Sequence, residues 1–415
     1  MQVSLSEMGG LSRRLEVAVP AAEVTREVQQ RLKRLSRTAR LKGFRPGKAP
    51  LAVITKQFGD QVRAEVVSDL MRASFAQAVT QQNLRPAGGP RIEPIALGPE
   101  TDLKYAAHFE VLPEISVRPP EELAVERQSA AVTDADVDAM VENMREQRPV
   151  FTVVDRPARD TDRVLLDYQA RIGGRPLAGQ SADLHLSIKA VEERSLPQVD
   201  EEFYRSFGVE QGGLAEMRAE VRNSMEQELA AVVRNRLRGQ ILDALYRENP
   251  VDVPHALIDQ QVQQLQIDTA RRLRLTDLNR LPAREAFIEP ARRRVALDLL
   301  IAHIVQTQGM QVDRERVQAR IAALVEGYPN PEEARRAYLQ NRDAMRQLES
   351  VALEDQVVDW LLERARITDR PATFKELTGF GRPAGELEQE PGAFDPGIEQ
   401  LGPVDGQQQS EAGGT

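Results

Sequence analysis

Apolar residues recur along this chain with two spacings, and each spacing predicts its own kind of element. Gln2-Val3-Ser4-Leu5-Ser6-Glu7 and Leu15-Glu16-Val17-Ala18-Val19 alternate apolar with polar residues on either side of Gly9-Gly10, the pattern of a half-buried hairpin. Pro20 ends it. Over residues 21–40 the spacing becomes helical: Val24, Val28, Leu32 and Leu35 share one face and arginines occupy the other. A second helix is predicted over 51–82, with Val53, Ile54, Phe58, Val62, Val66, Leu70 and Phe75 as its apolar set. Alternation returns at 91–94 and 103–111. A β-β-α-α-β-β order predicts an α+β domain spanning 1–112.

Residues 113–120 are punctuated by proline and read as a linker. Beyond them Thr133 and Asp136 are spaced as a capping box, and Val137, Met140, Val141 and Met144 form one stripe on a helix that Pro149 stops. One helix of this length cannot bury its own stripe, so 113–150 should supply a linker and a helix that packs on something later in the chain. The longest pattern follows at 214–248, where Met217, Val221, Met225, Leu229, Val233, Leu237, Ile241 and Leu245 recur every fourth residue. A helix repeats every 3.6 residues, so this line drifts by about 40° per step and winds around the axis. Its two ends must face different neighbours. Further helical patterns start at 253 (Leu257, Ile258, Val262, Leu265) and run over 283–308, 314–327 and, with interruptions, 332–366. Residues 197–378 therefore read as a mostly α domain with arms, and 379–415, rich in Gly, Pro, Gln and acid, as a disordered tail.

Composition narrows the chemistry. A chain of 415 residues is long enough for two to four domains. With aromatics at 4% and charged residues at 29%, it suits long exposed helices better than one large core. No cysteine is present, which excludes disulfides and thiol catalysis. His108, His185, His255 and His303 lie far apart, without the paired spacing of a zinc site, and no P-loop occurs; no metal, nucleotide or other cofactor is expected. The start of the chain lacks the basic and apolar run of an export signal, and no stretch matches a membrane span; the expectation is a cytoplasmic protein without membrane contact.

Net charge is -9, yet the first sixty residues invert that sign. They carry 12 cations (Arg13, Arg14, Arg26, Arg31, Lys33, Arg34, Arg37, Arg40, Lys42, Arg45, Lys48, Lys56) against 5 acids (Glu7, Glu16, Glu23, Glu27, Asp60). Such asymmetry favours an RNA-rich or otherwise anionic surface as partner for this segment alone. A solvated helix face is the plain alternative, and the stretch between the two helices speaks against it. Gly43-Phe44-Arg45-Pro46-Gly47-Lys48-Ala49-Pro50 holds two glycines and two prolines beyond those a helix or central strand tolerates, so it is a loop. Its one aromatic sits between cations with little core to enter. That composition is a docking element for an anionic partner.

The run GFRPGKAP, following a β-β-helix pattern, resembles the ribosome-docking signature of the trigger factor family of bacterial nascent-chain chaperones. The resemblance implies that Phe44 inserts into an apolar recess, that Arg45 and Lys48 pair with ribosomal RNA phosphates or acidic protein side chains, and that Gly43 and Gly47 permit the loop's shape. It also implies a ribosome-associated chaperone. The ribosome at its exit tunnel and unfolded nascent chains are then the partners, with a homodimer away from the ribosome left open. Long apolar-striped helices would form a cradle around clients.

Residues 151–196 depart from the family. Asp162-Arg163-Val164-Leu165-Leu166-Asp167-Tyr168 resembles the opening strand of its FKBP-like prolyl isomerase domain, and Leu184-His185-Leu186-Ser187-Ile188 the closing one. Only a short stretch, 175–182, stands where most of the pocket belongs. Rotation about an X–Pro bond has a barrier of ~18–20 kcal/mol, and no Phe, Tyr or Trp occurs between Tyr168 and Phe203 to line a dry cleft. A truncated β remnant with little or no isomerase activity is expected. Retained isomerase activity is one alternative, through aromatics recruited from elsewhere. A ribosome-independent helical chaperone is another, and a purely structural scaffold a third, although a scaffold gives no reason for a basic loop on an acidic protein.

Overall fold

The computed structural model describes residues 1–39, 41, 44, 50–98, 101–169, 185–209, 211–275 and 280–380. In chain order these form β1 (Gln2–Gly9), β2 (Ser12–Val19), α1 (Ala21–Thr38), α2 (Leu51–Gln81), β3 (Arg91–Ala96), β4 (Leu103–Glu110), β5 (Ala124–Ser129), α3 (Asp134–Gln147) and β6 (Val150–Val154). They continue as β7 (Arg163–Gln169), β8 (His185–Ser195), α4 (Glu201–Ser206), α5 (Gly213–Glu248), α6 (His255–Arg272), α7 (Glu285–Gln308) and α8 (Arg314–Val325). The last elements are α9 (Pro331–Gln340), α10 (Arg342–Arg364), β9 (Arg366–Pro371) and α11 (Phe374–Thr378). The described residues divide into two compact units, one of Met1–Ala124 with Ile241–Arg366, the other of Val125–Gln240 with residues 367–380.

In the first unit, β1 to β4 make an antiparallel sheet of order β1-β2-β4-β3. The turn between β1 and β2 puts Gly9 at φ 102 and Gly10 at φ 53, a left-handed stretch that glycine adopts without a Cβ clash. Alternation decides which face is buried: Leu15, Val17 and Val19 of β2 and Leu103, Tyr105, Ala107 and Phe109 of β4 close a core with Val24, Val67 and Ala78 from the helices. Farther along the helical pair a second cluster takes over, in which Leu32 meets Ile54, Val62 and Val66, with Leu35, Ala39, Leu41 and Phe58 alongside. The α1–α2 pair is thus apolar along its length, first against the sheet and then against itself. Its connecting loop lies at the end away from the sheet.

Later helices of this unit follow their stripes. Ile258 and Val262 of α6 bury against Phe287 and Ala291 of α7. Val317 and Ile321 of α8 pack with Tyr338 of α9 and Leu348 of α10. Asn341 begins α10 by accepting from the N–H groups of Asp343 (3.0 Å) and Ala344 (3.2 Å), two donors that a helix start leaves without internal partners.

The second unit is built around α3 and α5. Thr133 and Asp136 form the reciprocal capping box expected from their spacing, with the Thr133 N–H donating to Asp136 Oδ2 at 2.9 Å and the Asp136 N–H to Thr133 Oγ1 at 3.3 Å. The winding apolar line of α5 meets successive neighbours. Met217 packs with Phe203, Tyr204 and Val209; Met225 and Leu229 pack with Val132, Val137, Phe374 and Leu377. Past the unit boundary at Gln240, Ile241, Leu242 and Leu245 are buried in turn.

Three strands and two short helices, α4 and α11, extend the predicted set. Val150–Val154 is a strand directly after α3, where only a stop at Pro149 is expected. Ala124–Ser129 and Arg366–Pro371 pair as a two-stranded sheet. The Arg366 N–H donates to Leu123 O at 2.9 Å and the Ala372 N–H to Ser129 O at 2.9 Å, so both steps advance together and the strands run parallel. Helix α11 then ends at Gly379, whose φ of 71 is a left-handed cap, and Phe380 packs 6.1 Å from the ring of Phe374. Gly379 and Phe380 are the first two residues of the expected tail; the rest of it, 381–415, lies outside the described residues.

Candidate functional site

The α1–α2 loop is held between two fixed points. Helix α1 closes with the Ala39 N–H on Leu35 O at 2.8 Å and turns extended at Ala39. Pro50, at φ -58, starts α2 and accepts from the N–H groups of Val53 (3.0 Å) and Ile54 (3.2 Å). Between them the Phe44 N–H donates to Leu41 O at 3.1 Å. Leu41 is partly buried with Leu35 and Ala39, closing the apolar end of the helical pair. Phe44 is left 41% exposed. The other loop residues singled out by the sequence, Gly43, Arg45, Gly47 and Lys48, lie outside the described residues.

Charge around this end has one sign. No Asp or Glu occurs between Glu27 and Asp60, a span that contains Arg31, Lys33, Arg34, Arg37, Arg40, Lys42, Arg45, Lys48 and Lys56. Some nearby cations are already engaged: Arg26 with Glu27 at 3.6 Å, Arg31 with Asp69 at 3.7 Å, and Arg63 donating to the carbonyls of Leu97 and Gly98 at 3.0 and 2.5 Å. An exposed aromatic whose sequence neighbours are cations can insert into a shallow recess while such cations meet phosphates or carboxylates.

A second surface lies in the other unit, on the antiparallel sheet β6-β8-β7. Register puts Phe151, Val153, Leu165, Leu166, Ile188 and Ala190 on one face; Val153 is 67% exposed and Ile188 61%. Phe151 is covered by Arg163, whose guanidinium carbon stands 4.1 Å from the ring centroid. Arg156 joins the β6–β7 connection to the sheet by donating to both carboxylate oxygens of Asp162 (2.7 and 3.2 Å) and meeting Glu193 at 3.0 Å. That pairing, helped by the Arg159 N–H, holds the Asp162 carboxyl below its ordinary range. β7 and β8 are the two strands the resemblance leads one to expect; β6 is additional to them, and its signal is the β-branched and aromatic run Val150-Phe151-Thr152-Val153-Val154 after Pro149.

Among the described residues no group of three or more His, Cys, Asp or Glu could hold a metal ion, and no helix is long and apolar enough to cross a membrane. His108 faces Glu93 at 3.3 Å and His255 faces Glu110 at 2.8 Å, each a pair rather than a ligand set.

An α+β unit with a cation-rich helical hairpin, several long helices and a small sheet make this a multidomain, mostly helical protein. A solved structure of the trigger factor chaperone superposes on 88% of this chain and 99% of its own with a TM-score of 0.51 at 17% identity, which speaks to the fold. In sequence, residues 1–144 match the family described as "Bacterial trigger factor protein (TF)" and residues 213–363 match "Bacterial trigger factor protein (TF) C-terminus". Trigger factor of Thioalkalivibrio sulfidiphilus is 35% identical over 91% of this chain and 98% of its own, and that of Halorhodospira halophila 36% over the same shares. The chain belongs to the bacterial trigger factor family of ribosome-associated chaperones. Both alignments, over 434 and 429 residues, are longer than this chain of 415, so the relatives carry residues that it lacks.

Proposed function

We propose that this protein docks on the ribosome beside the peptide exit tunnel through Gly43, Phe44, Arg45, Gly47 and Lys48, and there holds emerging unfolded chains in the cytoplasm. The observation that carries the docking assignment is Phe44: a large apolar ring left 41% exposed at the end of a helical pair whose apolar end Leu41 already closes. Arg45 and Lys48 supply charge for ribosomal RNA phosphates or acidic protein side chains, and Gly43 and Gly47 the backbone freedom. Weak client contacts suffice, because tethering at the exit raises the effective concentration of the chain to be held.

In this reading 1–112 is the docking domain, 113–150 a linker and packing helix, 151–196 a shortened isomerase remnant, and 197–378 the client-holding helical domain. Clients meet small apolar patches framed by polar residues, a chemistry that tolerates many sequences. Co-sedimentation with empty and translating ribosomes tests the docking role. Wild type should pellet with ribosomes, and the Phe44→Ala/Arg45→Ala variant should stay in the supernatant while keeping its thermal unfolding. Full retention of ribosome affinity by the double variant removes the assignment.

A further inference from the structure

We infer that the outer face of α1, through Lys33, Arg34 and Arg37, is a second ribosome contact that grips RNA backbone phosphates. The inference rests on the docking reading above and extends it beyond the loop. Helix α1 buries Val24 and Leu32 and half-buries Val28 and Leu35. At 100° per residue, Lys33, Arg37 and Arg34 fall on the opposite side, and all three are exposed. Lys33 and Arg37 stand four residues apart and Arg34 and Arg37 three, so their side chains are neighbours on the surface.

Like charges at these spacings weaken a helix, and helices usually offset them with acids on the same face. Here the neighbours of the trio three and four residues away within α1 are Gln29, Gln30, Arg31, Ser36 and Thr38, none of them an acid, and the sequence offers no acid between Glu27 and Asp60. Asp69 of α2 faces Arg31 and Glu27 faces Arg26, which leaves both acids on other cations. The helix dipole favours a cation in the last turn and accounts for Arg37, but its effect fades within one turn and does not explain Lys33 and Arg34. No aromatic or apolar side chain lies within the trio to read a base or fill a protein recess. A ridge of cations alone fits a phosphate backbone, gripped without regard to sequence through counterion release.

The test measures ribosome affinity of the full chain across a salt series, for wild type and for Lys33→Gln/Arg34→Gln/Arg37→Gln. Glutamine keeps helix propensity and side-chain length, and circular dichroism verifies folding. Each phosphate contact contributes about 0.7 to 0.9 to the slope of log affinity against log salt, so three should lower that slope by about 2 to 3. The same variant should lose affinity for protein-free large-subunit ribosomal RNA. An unchanged slope on ribosomes overturns the inference. A lowered slope with undiminished binding to protein-free RNA also overturns it, because the ridge then meets an acidic ribosomal protein. If wild type binds no ribosomes at low salt, the docking reading falls, and the RNA arm still judges the ridge by itself.

Discussion

Tyr105 on β4 and Ser74 on α2 hydrogen-bond through their hydroxyls at 2.8 Å inside the core of the sheet unit, and Tyr105 also donates to Met71 O at 3.0 Å. A strand and the helix lying across it are thereby keyed to one position. Burial pushes the Tyr105 hydroxyl pKa above its ordinary value, with Ser74 opposing. Ser74 has an alternative acceptor in Leu70 O at 2.6 Å, so deleting the phenol oxygen leaves it satisfied. Tyr105→Phe should therefore cost only about 1 kcal/mol, read from urea unfolding. A loss above about 3 kcal/mol would mean that the pair supports more than its own hydrogen bonds.

Phe374 should matter more. It is 1% exposed and joins Val132, Val137, Met225, Leu229 and Leu377 in the core that seats α3 on α5. Phe374→Ala removes a fully buried ring and should cost about 3–5 kcal/mol in the unit that contains it, while the transition of the other unit stays in place. Equal shifts of both transitions would contradict the division of the core.

Asp162 gives a pH dependence with a definite sign. Its carboxyl is held below the ordinary range by Arg156, so it contributes stability above the unfolded-state value, near 3.9, and loses it as pH falls through the lower folded value. Asp162→Asn should lower the melting temperature at pH 7, and the gap to wild type should narrow as the buffer is taken to about pH 3. A gap independent of pH assigns the effect to shape rather than charge.

Prolyl isomerisation should be absent. Between Val150 and Glu202 the only Phe, Tyr or Trp residues are Phe151 and Tyr168, and Phe151 is stacked under Arg163 at 4.1 Å. Turnover of a proline-containing test peptide should equal that in buffer. Any rate that scales with protein concentration and survives repurification would restore a competent cleft.

Helices were legible because burial imposes a period of 3.6, and α5 shows how far that goes. The drift of its line from Met217 to Leu245 predicts a change of neighbour, and the neighbours do change, from Phe203 to Phe374 and beyond. Strands β5 and β9 escaped for the opposite reason. AVERQS and RITDRP are mostly polar, Val125 is the one buried residue between them, and each finds its partner only across the length of the chain. Local pattern carries no trace of such a pairing. Between α1 and α2, Gly and Pro mark a break in the helical pattern, but that Leu41 rather than Phe44 would close the helical end could not be read from spacing, since both are apolar and three residues apart.

The parallel pairing of β5 with β9 also sets a timetable for birth. Residues 124–129 leave the ribosome early, yet their partner strand β9 and the Phe374 that seals their unit follow more than two hundred residues later. A ribosome adds roughly 5–20 residues per second, so Val132 and Val137 wait for seconds until Met225 and Leu229 arrive, and longer until Phe374 completes their core. During that interval the newborn protein itself exposes apolar side chains that its finished core covers.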